Sequence, residues 1–222
     1  MGIKERQERD REAVRRAILD AARELFVAEG YQNVSIRKVA ERIEYSPAAI
    51  YGYFASKDDL FFALAEEGFR LLSAPAGFSQ NEQLDPIQRI RSIFWRFYEF
   101  SREHPQYFWL MFVDRSVPRI CREYERSPFV RQLRHDLIAQ VQRAIDAKSL
   151  PPSVDASVAF LLLVTGITGV ALMRLSDRGP TAIADELAHD IINVLIAGLQ
   201  AGVHLESPGP VWPNEPAHAH VS

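Results

Sequence analysis

The sequence predicts an all-α protein with about nine helices, and three observations lead to this prediction. Apolar residues recur every three or four positions along most of the chain, which is the period of a helix that faces a core. Capping residues stand where the periodic stretches begin, as at Ser35, Ser46 and Ser56. No segment shows the sustained alternation of apolar and polar residues that is typical of a half-buried strand.

The composition indicates an ordinary globular chain of one large domain or two small ones. Of its 222 residues, 47% are hydrophobic and 25% are charged. The net charge of −3 is not typical of a protein that binds polyanions through its overall charge. If the protein binds DNA, its positive charge has to be concentrated on one part of the surface. A single cysteine, Cys121, excludes an intramolecular disulfide and a cysteine-based metal site, and it fits a cytoplasmic location.

Neither end of the chain nor any internal stretch indicates a membrane protein. The N-terminus is highly charged and lacks the apolar core of a secretory signal. No uninterrupted run of 18 or more apolar residues appears, so we expect no membrane span. Residues 1–10 are polar without apolar periodicity and are predicted to be a disordered arm.

The first helix is predicted from about Glu12 to Glu29, and Gly30 ends it. Residues 35–54 then form two short helices joined by a tight turn. Ser35 caps the first of these, and Ser46 caps the second, with Pro47 at the first helical position, where its missing N–H costs nothing.

The second of these short helices has an outward face of small and aromatic residues, whereas Ile50 and Phe54 point inward. The outward residues are Pro47, Ala48, Tyr51 and Gly52. A helix this short with such a face is suited to enter a DNA major groove. Residues 11–58 are therefore predicted to be a helix-turn-helix DNA-binding domain.

The rest of the chain, residues 59–205, is predicted to be a larger helical domain, followed by a disordered proline-rich tail at 206–222. Ser56 and Asp59 form a capping box at the start of its connecting helix. Further helices are predicted over about 86–103, 106–114, 128–148, 153–175 and 180–202.

Phosphate contacts position a DNA-binding unit, and base contacts give it specificity. The phosphate candidates are Lys57, the hydroxyls of Tyr51 and Tyr53, and Ser35 and Arg37 at the start of the first short helix. The residues that line or start the second short helix complete the predicted site: Ser46, Pro47, Ala48, Ala49 and Gly52. The small residues allow a close approach to base edges, with methyl contacts to thymine.

The run Y-x-Y-F-x-S-K-x-x-L from Tyr51 to Leu60 resembles the TetR family of bacterial repressors. Further matching positions are Phe26, Gly30, Ser35, Ile36, Val39, Ala40, Ser46 and Ile50. Two positions depart from the family pattern. Glu44 stands where the family usually has a turn glycine with positive φ, a conformation that costs other residues about 1–2 kcal/mol. Ala49 replaces a frequent threonine or serine, which removes a hydroxyl.

The resemblance implies that the larger domain binds a small effector and forms a homodimer through the last two helices. The aromatic-rich stretch around residues 94–112 suggests a pocket for a planar or apolar ligand. Its candidate lining residues are Phe94, Tyr98, His104, Trp109 and Phe112. The alternative is that these aromatic residues, and the last two helices, belong only to the internal core.

The resulting expectation is a repressor that a small molecule releases from a palindromic operator of double-stranded DNA. The scattered histidines show no metal-ligand spacing, and the sequence has no glycine-rich phosphate loop, so we expect no catalytic residue, metal or cofactor. One alternative is a helical small-molecule-binding or enzymatic protein whose N-terminal unit contacts only protein. Another is an activator, or a ligand-blind architectural DNA-binding factor.

Overall fold

The computed structural model describes residues 2–74, 84–114, 124, 127–176 and 181–202, and the predicted tail at 206–222 and Cys121 lie outside them. Within these ranges the chain forms nine α-helices and no strand, so the predicted all-α class is confirmed. The helices are α1 (Ile3–Glu29), α2 (Ile36–Arg42), α3 (Pro47–Tyr51), α4 (Lys57–Leu72), α5 (Pro86–Glu103), α6 (Pro105–Phe108), α7 (Pro128–Asp146), α8 (Ala156–Leu175) and α9 (Ala184–Gln200).

The chain divides into two compact units. The first unit joins Met1–Leu71 with His104–Arg131, and the second joins Leu72–Glu103 with Gln132–Ser222. We expected residues 59–205 to form one C-terminal domain, but most of α4 and all of α6 belong to the first unit. The division follows contacts between residues far apart in sequence, which local patterns do not show.

Helix α1 begins at Ile3, so the prediction that residues 1–10 are a disordered arm is wrong for the described part of that segment. Its first turns have no apolar stripe, and the Gly2 N–H is capped by the Glu5 carboxylate at 2.9 Å. Glutamate, arginine and glutamine have high helix propensity, so a polar segment can continue a helix that is nucleated further along. Gly30 ends α1 with φ +78°, and its N–H donates to the Phe26 carbonyl at 2.9 Å.

The core of the first unit contains an aromatic cluster that holds α4 against α1. The rings of Phe26, Tyr31 and Phe61 lie 5.5–5.7 Å apart. Ser56 caps α4 by accepting the Asp59 N–H at 3.1 Å, and its hydroxyl donates to the Asp59 carboxylate at 2.9 Å. Asp59 therefore binds the cap's hydroxyl, rather than the backbone N–H that a capping box uses.

A tight contact also joins α4 to the segment after α6. That segment, Trp109–Val113, is a π-helical turn that continues α6. A Cβ added at Gly68 would collide with the Met111 sulfur and would lie 3.2 Å from the Tyr107 ring. Gly68 therefore permits the close approach of α4 to this turn.

The second unit is built around α5, α8 and α9. Helix α5 buries the apolar face that the sequence predicts, including Ile90, Ile93 and Phe97, and Trp95 lies off that face. The Trp95 ring stacks on the His189 ring of α9 at 3.8 Å between centroids. One turn of α5 earlier, Arg91 donates to Asn193 of α9 at 2.8 Å, so α5 and α9 run antiparallel.

Helix α8 is apolar on most sides, and Asp155 caps it by accepting the N–H groups of Ser157 and Val158. Within the described residues, α8 is the one helix that is long and apolar enough to cross a membrane. Half of the relevant window is buried within the protein, as in the core helix of a folded domain.

Helices α8 and α9 also leave an apolar surface uncovered. Leu172 is 37% exposed, Ile183 is 50% exposed and Val194 is 65% exposed. The sequence predicts an apolar stripe on the last helix that includes Ile183, Val194 and Leu199 and that a homodimer interface would use. Only Leu199 of these three is buried, and the inward face carries Ala184, Ala188, Ile192 and Ile196. Helix α9 is therefore apolar on two sides.

Candidate DNA interface

Helix α3 is held by a cap at its start and an anchor near its end. The Ser46 hydroxyl accepts the Ala49 N–H at 3.2 Å, as predicted for an N-cap, and Pro47 occupies the first helical position. Ile50 is 0% exposed and anchors the helix in the core of the first unit. The cap and the anchor fix which side of α3 faces solvent.

The solvent side of α3 carries the residues that the sequence placed there. Tyr51 is 56% exposed, Pro47, Ala48 and Gly52 are exposed, and Ala49 is half-buried. A Cβ at Gly52 would lie 3.2 Å from the Ala49 carbonyl oxygen, so glycine keeps this end of the helix slim. The surface is shallow and can approach base edges closely.

The turn between α2 and α3 keeps the geometry that usually requires glycine. Glu44 has φ +59°, so this residue holds a left-handed conformation and carries its strain. The Tyr45 N–H donates to the Ala40 carbonyl at 2.9 Å and fixes the exit from the turn. Tyr45 is 45% exposed, directly before the cap of α3, and sequence reasoning did not include it. An aromatic residue beside a cap was the only signal for it.

Ser35 and Arg37 lie exposed at the start of α2. The Ser35 hydroxyl accepts the Lys38 N–H at 3.2 Å, so its predicted cap is present. The Arg37 side chain donates to the Glu41 carboxylate at 2.9 Å. Because an exposed pair of this kind is worth little, Arg37 can exchange Glu41 for a phosphate.

Lys57 is held by the protein rather than extended into solvent. Its ammonium donates to the Tyr31 carbonyl at 2.9 Å and lies 4.0 Å from the Tyr31 ring centroid. The Tyr31 hydroxyl in turn donates to Asp58, and burial followed by this bond raises the pKa of Tyr31. A phosphate contact by Lys57 would use its remaining N–H donors. Tyr53, the other phosphate candidate, is half-buried behind the end of α3.

The five candidate effector residues fall in different units. Phe94 and Tyr98 are buried in the second unit, where Phe94 lies 6.2 Å from the Phe160 ring and Tyr98 donates to Asp185 at 2.8 Å. The other three candidates lie in the first unit: His104, Trp109 and Phe112. The five residues therefore do not form one cluster within either unit.

Phe112 packs between Phe69 and Phe108, with ring centroids 6.0 and 5.0 Å away, and the His104 ring lies 6.3 Å from that of Tyr107. In the parts of the chain that the structure describes, no group of three or more His, Cys, Asp or Glu side chains is arranged to hold a metal ion.

Residues 18–64 match the profile of the bacterial regulatory proteins of the tetR family. The chain is 44% identical over 64 residues to an HTH-type transcriptional repressor of Mycobacterium tuberculosis, a match that covers 29% of this chain and 34% of that relative. It is 40% identical over 53 residues to the HTH-type transcriptional repressor AcnR of Corynebacterium diphtheriae, covering 24% of this chain and 28% of AcnR. The chain thus spans about a third of the length of these relatives.

The similarities that extend over most of the chain have a lower sequence identity. The chain is 27% identical to the HTH-type transcriptional regulator BetI of Burkholderia lata over 84% of this chain and 96% of BetI. Its fold is similar to that of the regulator FadR of Bacillus subtilis, solved in complex with stearoyl-CoA, with a TM-score of 0.66 at 14% identity. That similarity covers 85% of this chain and 98% of FadR. The segment that carries the helix-turn-helix, residues 18–64, is therefore similar to the bacterial regulatory proteins of the tetR family.

Proposed function

We propose that this protein is a cytoplasmic transcriptional regulator that binds DNA as a homodimer. It represses transcription and leaves its palindromic operator when a small-molecule effector binds. The observation that carries this proposal is the orientation of α3. Its cap and the buried Ile50 side chain fix the helix so that Tyr51 and the small residues beside it face solvent. The repressor that is 44% identical over the same region supports the direction of regulation.

In this proposal each residue of the interface has a role that its chemistry allows. Ser35, Arg37, Tyr51, Tyr53 and Lys57 contact phosphates. The remaining residues let α3 enter the major groove and touch base edges, and they are Ser46, Pro47, Ala48, Ala49 and Gly52. Few of these base contacts are hydrogen bonds, so specificity draws also on DNA shape and on the spacing of two half-sites.

A homodimer supplies the second half-site. Recognition helices of a dimer are separated by about 34–36 Å, one turn of DNA. The uncovered apolar surface around Leu172 and Val194 supports an interface through α8 and α9, because exposed side chains of this kind are typical of a surface that a partner covers.

The effector is proposed to bind beside aromatic residues within one of the two units, and to favour a state of the dimer that does not fit the operator. The candidate contacts are Phe94 and Tyr98 in the second unit, and His104, Trp109 and Phe112 in the first. An effector can shift this equilibrium only by its difference in affinity between the two states. Because the similar fold of FadR was solved with stearoyl-CoA, a long-chain acyl-CoA is the first compound to test.

The DNA-binding proposal is tested by fluorescence anisotropy with the duplex that lies next to the protein's own gene. We expect affinity to fall steeply with salt, because phosphate contacts release counterions. Tyr51→Ala should weaken binding by about tenfold or more, through lost packing and a lost hydroxyl contact. Tyr51→Phe keeps the ring and should lose less. Wild-type protein that binds no duplex at low salt would refute the proposal.

The effector proposal is tested by adding acyl-CoA of increasing chain length to the complex and following the release of DNA. Quenching of tryptophan fluorescence reports binding to the protein separately. Release that depends on chain length supports a ligand-responsive repressor. A library of apolar ligands that leaves the complex intact would instead support a ligand-blind DNA-binding factor.

A further inference from the structure

We propose that Arg11, on the first turns of α1, binds a DNA phosphate beside the end of the recognition helix. This inference rests on the proposed DNA binding and adds a contact outside the segment that the family profile matches, residues 18–64. It depends on the observation that α1 extends to Ile3, because only a helical segment brings Arg11 to this position.

The extension of α1 packs basic side chains against the residues that follow α3. The Arg11 guanidinium lies 5.7 Å from the ring centroid of Tyr53, and Arg15, one turn later, lies 5.5 Å from that of Phe54. Helix α3 ends at Tyr51, so Arg11 stands next to the C-terminal end of the proposed recognition helix. A phosphate that flanks the groove is the DNA group within reach of such a side chain.

Most basic side chains of the helix-turn-helix are already neutralised by carboxylates. The pairs are Arg15–Glu12, Arg16–Asp20, Arg16–Glu67, Arg23–Asp20, Arg37–Glu41, Lys38–Glu29 and Arg42–Glu24. Lys57 is bound to the Tyr31 carbonyl. Each of these carboxylates lowers the positive potential beside its basic partner.

Arg11 differs from these residues. It is exposed, and within the described residues the structure gives it no ion pair and no hydrogen bond. The neighbouring Glu12 is paired with Arg15 at 3.5 Å. A guanidinium with all five N–H donors available suits the bidentate geometry of a phosphate, and the Tyr53 ring limits its motion before DNA arrives.

The inference is tested by anisotropy titrations at several salt concentrations with wild type, Arg11→Ala and a charge-matched control. The control is Arg143→Ala, which removes one positive charge from α7, where the exposed Arg143 donates to the Gln140 side chain at 3.1 Å. One phosphate contact fewer should weaken binding about five- to tenfold at 0.1 M salt and reduce the magnitude of the salt slope by about 0.9. The loss should be similar for operator and unrelated duplexes, since a phosphate carries no sequence information.

The outcomes separate this inference from the function on which it rests. Wild-type binding with an Arg11→Ala variant of unchanged affinity and salt slope overturns the Arg11 contact alone. Absence of wild-type binding overturns the proposed function and this contact together. Far-UV circular dichroism should show an unchanged fold for Arg11→Ala.

A double-mutant cycle tests the role of the Tyr53 ring. In a Tyr53→Leu background, Arg11→Ala should cost less affinity than in wild type, because the guanidinium is no longer held in place. An equal loss in both backgrounds would show that Tyr53 does not position Arg11 and would overturn that part of the inference.

Discussion

At the scale of single residues, Glu44 is the position where local geometry and residue type conflict. Its φ of +59° lies in the left-handed region, and its side chain is exposed. The turn is nevertheless held by the Tyr45 N–H on the Ala40 carbonyl and by the cap of α3. Local hydrogen bonds on both sides of the turn therefore hold a conformation that Glu44 itself disfavours.

Replacing Glu44 with glycine should stabilise the protein. Relief of the left-handed strain exceeds the added entropy of an unfolded glycine, which leaves a net gain of about 0.5–1 kcal/mol in the free energy of unfolding. Urea denaturation measures this gain. Glu44→Ala is the matched control, because it removes the carboxylate but keeps the Cβ that causes the strain. An equal gain from both variants would assign the effect to charge instead.

At the scale of elements, a polar cluster joins α1, α4 and α6 in the first unit. The Tyr107 hydroxyl donates to the Glu67 carboxylate at 2.7 Å and accepts from Arg23 at 2.9 Å. Glu67 also pairs with Arg16, and burial followed by the bond to Glu67 raises the pKa of Tyr107. Three helices thus meet at one half-buried carboxylate.

Removing Glu67 should cost more stability than removing the Tyr107 hydroxyl. Glu67→Gln leaves Arg16 without its interhelical partner and should lower the free energy of unfolding by roughly 1–3 kcal/mol, whereas Tyr107→Phe should cost about 1 kcal/mol. Chemical denaturation followed by circular dichroism compares the two. A larger loss for Tyr107→Phe would show that the carboxylate is not the centre of the cluster.

The contact between α5 and α9 should make the second unit sensitive to alkali. Burial, followed by the bond to Asp185, raises the pKa of Tyr98 to about 12, while Arg102 pairs with the same carboxylate at 3.0 Å. The unfolded tyrosine titrates near pH 10. The stabilisation is therefore complete below about pH 10 and is lost as the pH rises toward 12.

Thermal unfolding between pH 9 and 12 measures this dependence. Tyr98→Phe should unfold at a lower temperature at pH 9 and should lose less stability than wild type above pH 10. Tyr31 and Tyr107 also have raised pKa values, so part of the alkaline loss should remain in the variant. If the variant keeps the full wild-type pH dependence, Tyr98 does not contribute to the loss of stability in alkali.

At the scale of the whole molecule, the uncovered apolar surface predicts the oligomeric state. Val194→Glu places a carboxylate on the proposed interface and should convert the dimer to a monomer with weaker operator binding, because burying an unpaired charge is costly. Sedimentation equilibrium measures the mass. His135→Glu, on an exposed position of α7, is the control and should leave the dimer intact. A monomeric wild type, or a dimeric Val194→Glu variant, would contradict the interface.

Features that depend on neighbours within a turn or two could be predicted from the amino-acid sequence alone. The caps at Ser35, Ser46 and Ser56, the anchor Ile50 and the apolar face of α5 follow from local hydrogen bonds and helical periodicity. For the same reason the all-α class and the exposed side of α3 could be predicted.

The folded structure was needed to show which residues far apart in the sequence contact each other. It binds Lys57 to the Tyr31 carbonyl, places Arg11 against the Tyr53 ring, separates the candidate effector residues between two units and leaves Val194 of α9 exposed. Periodicity shows that a helix has an apolar side, but α9 has two, and the core fills only one of them. Which side is buried, and which charge stays unpaired, depends on side chains that meet only after the chain has folded.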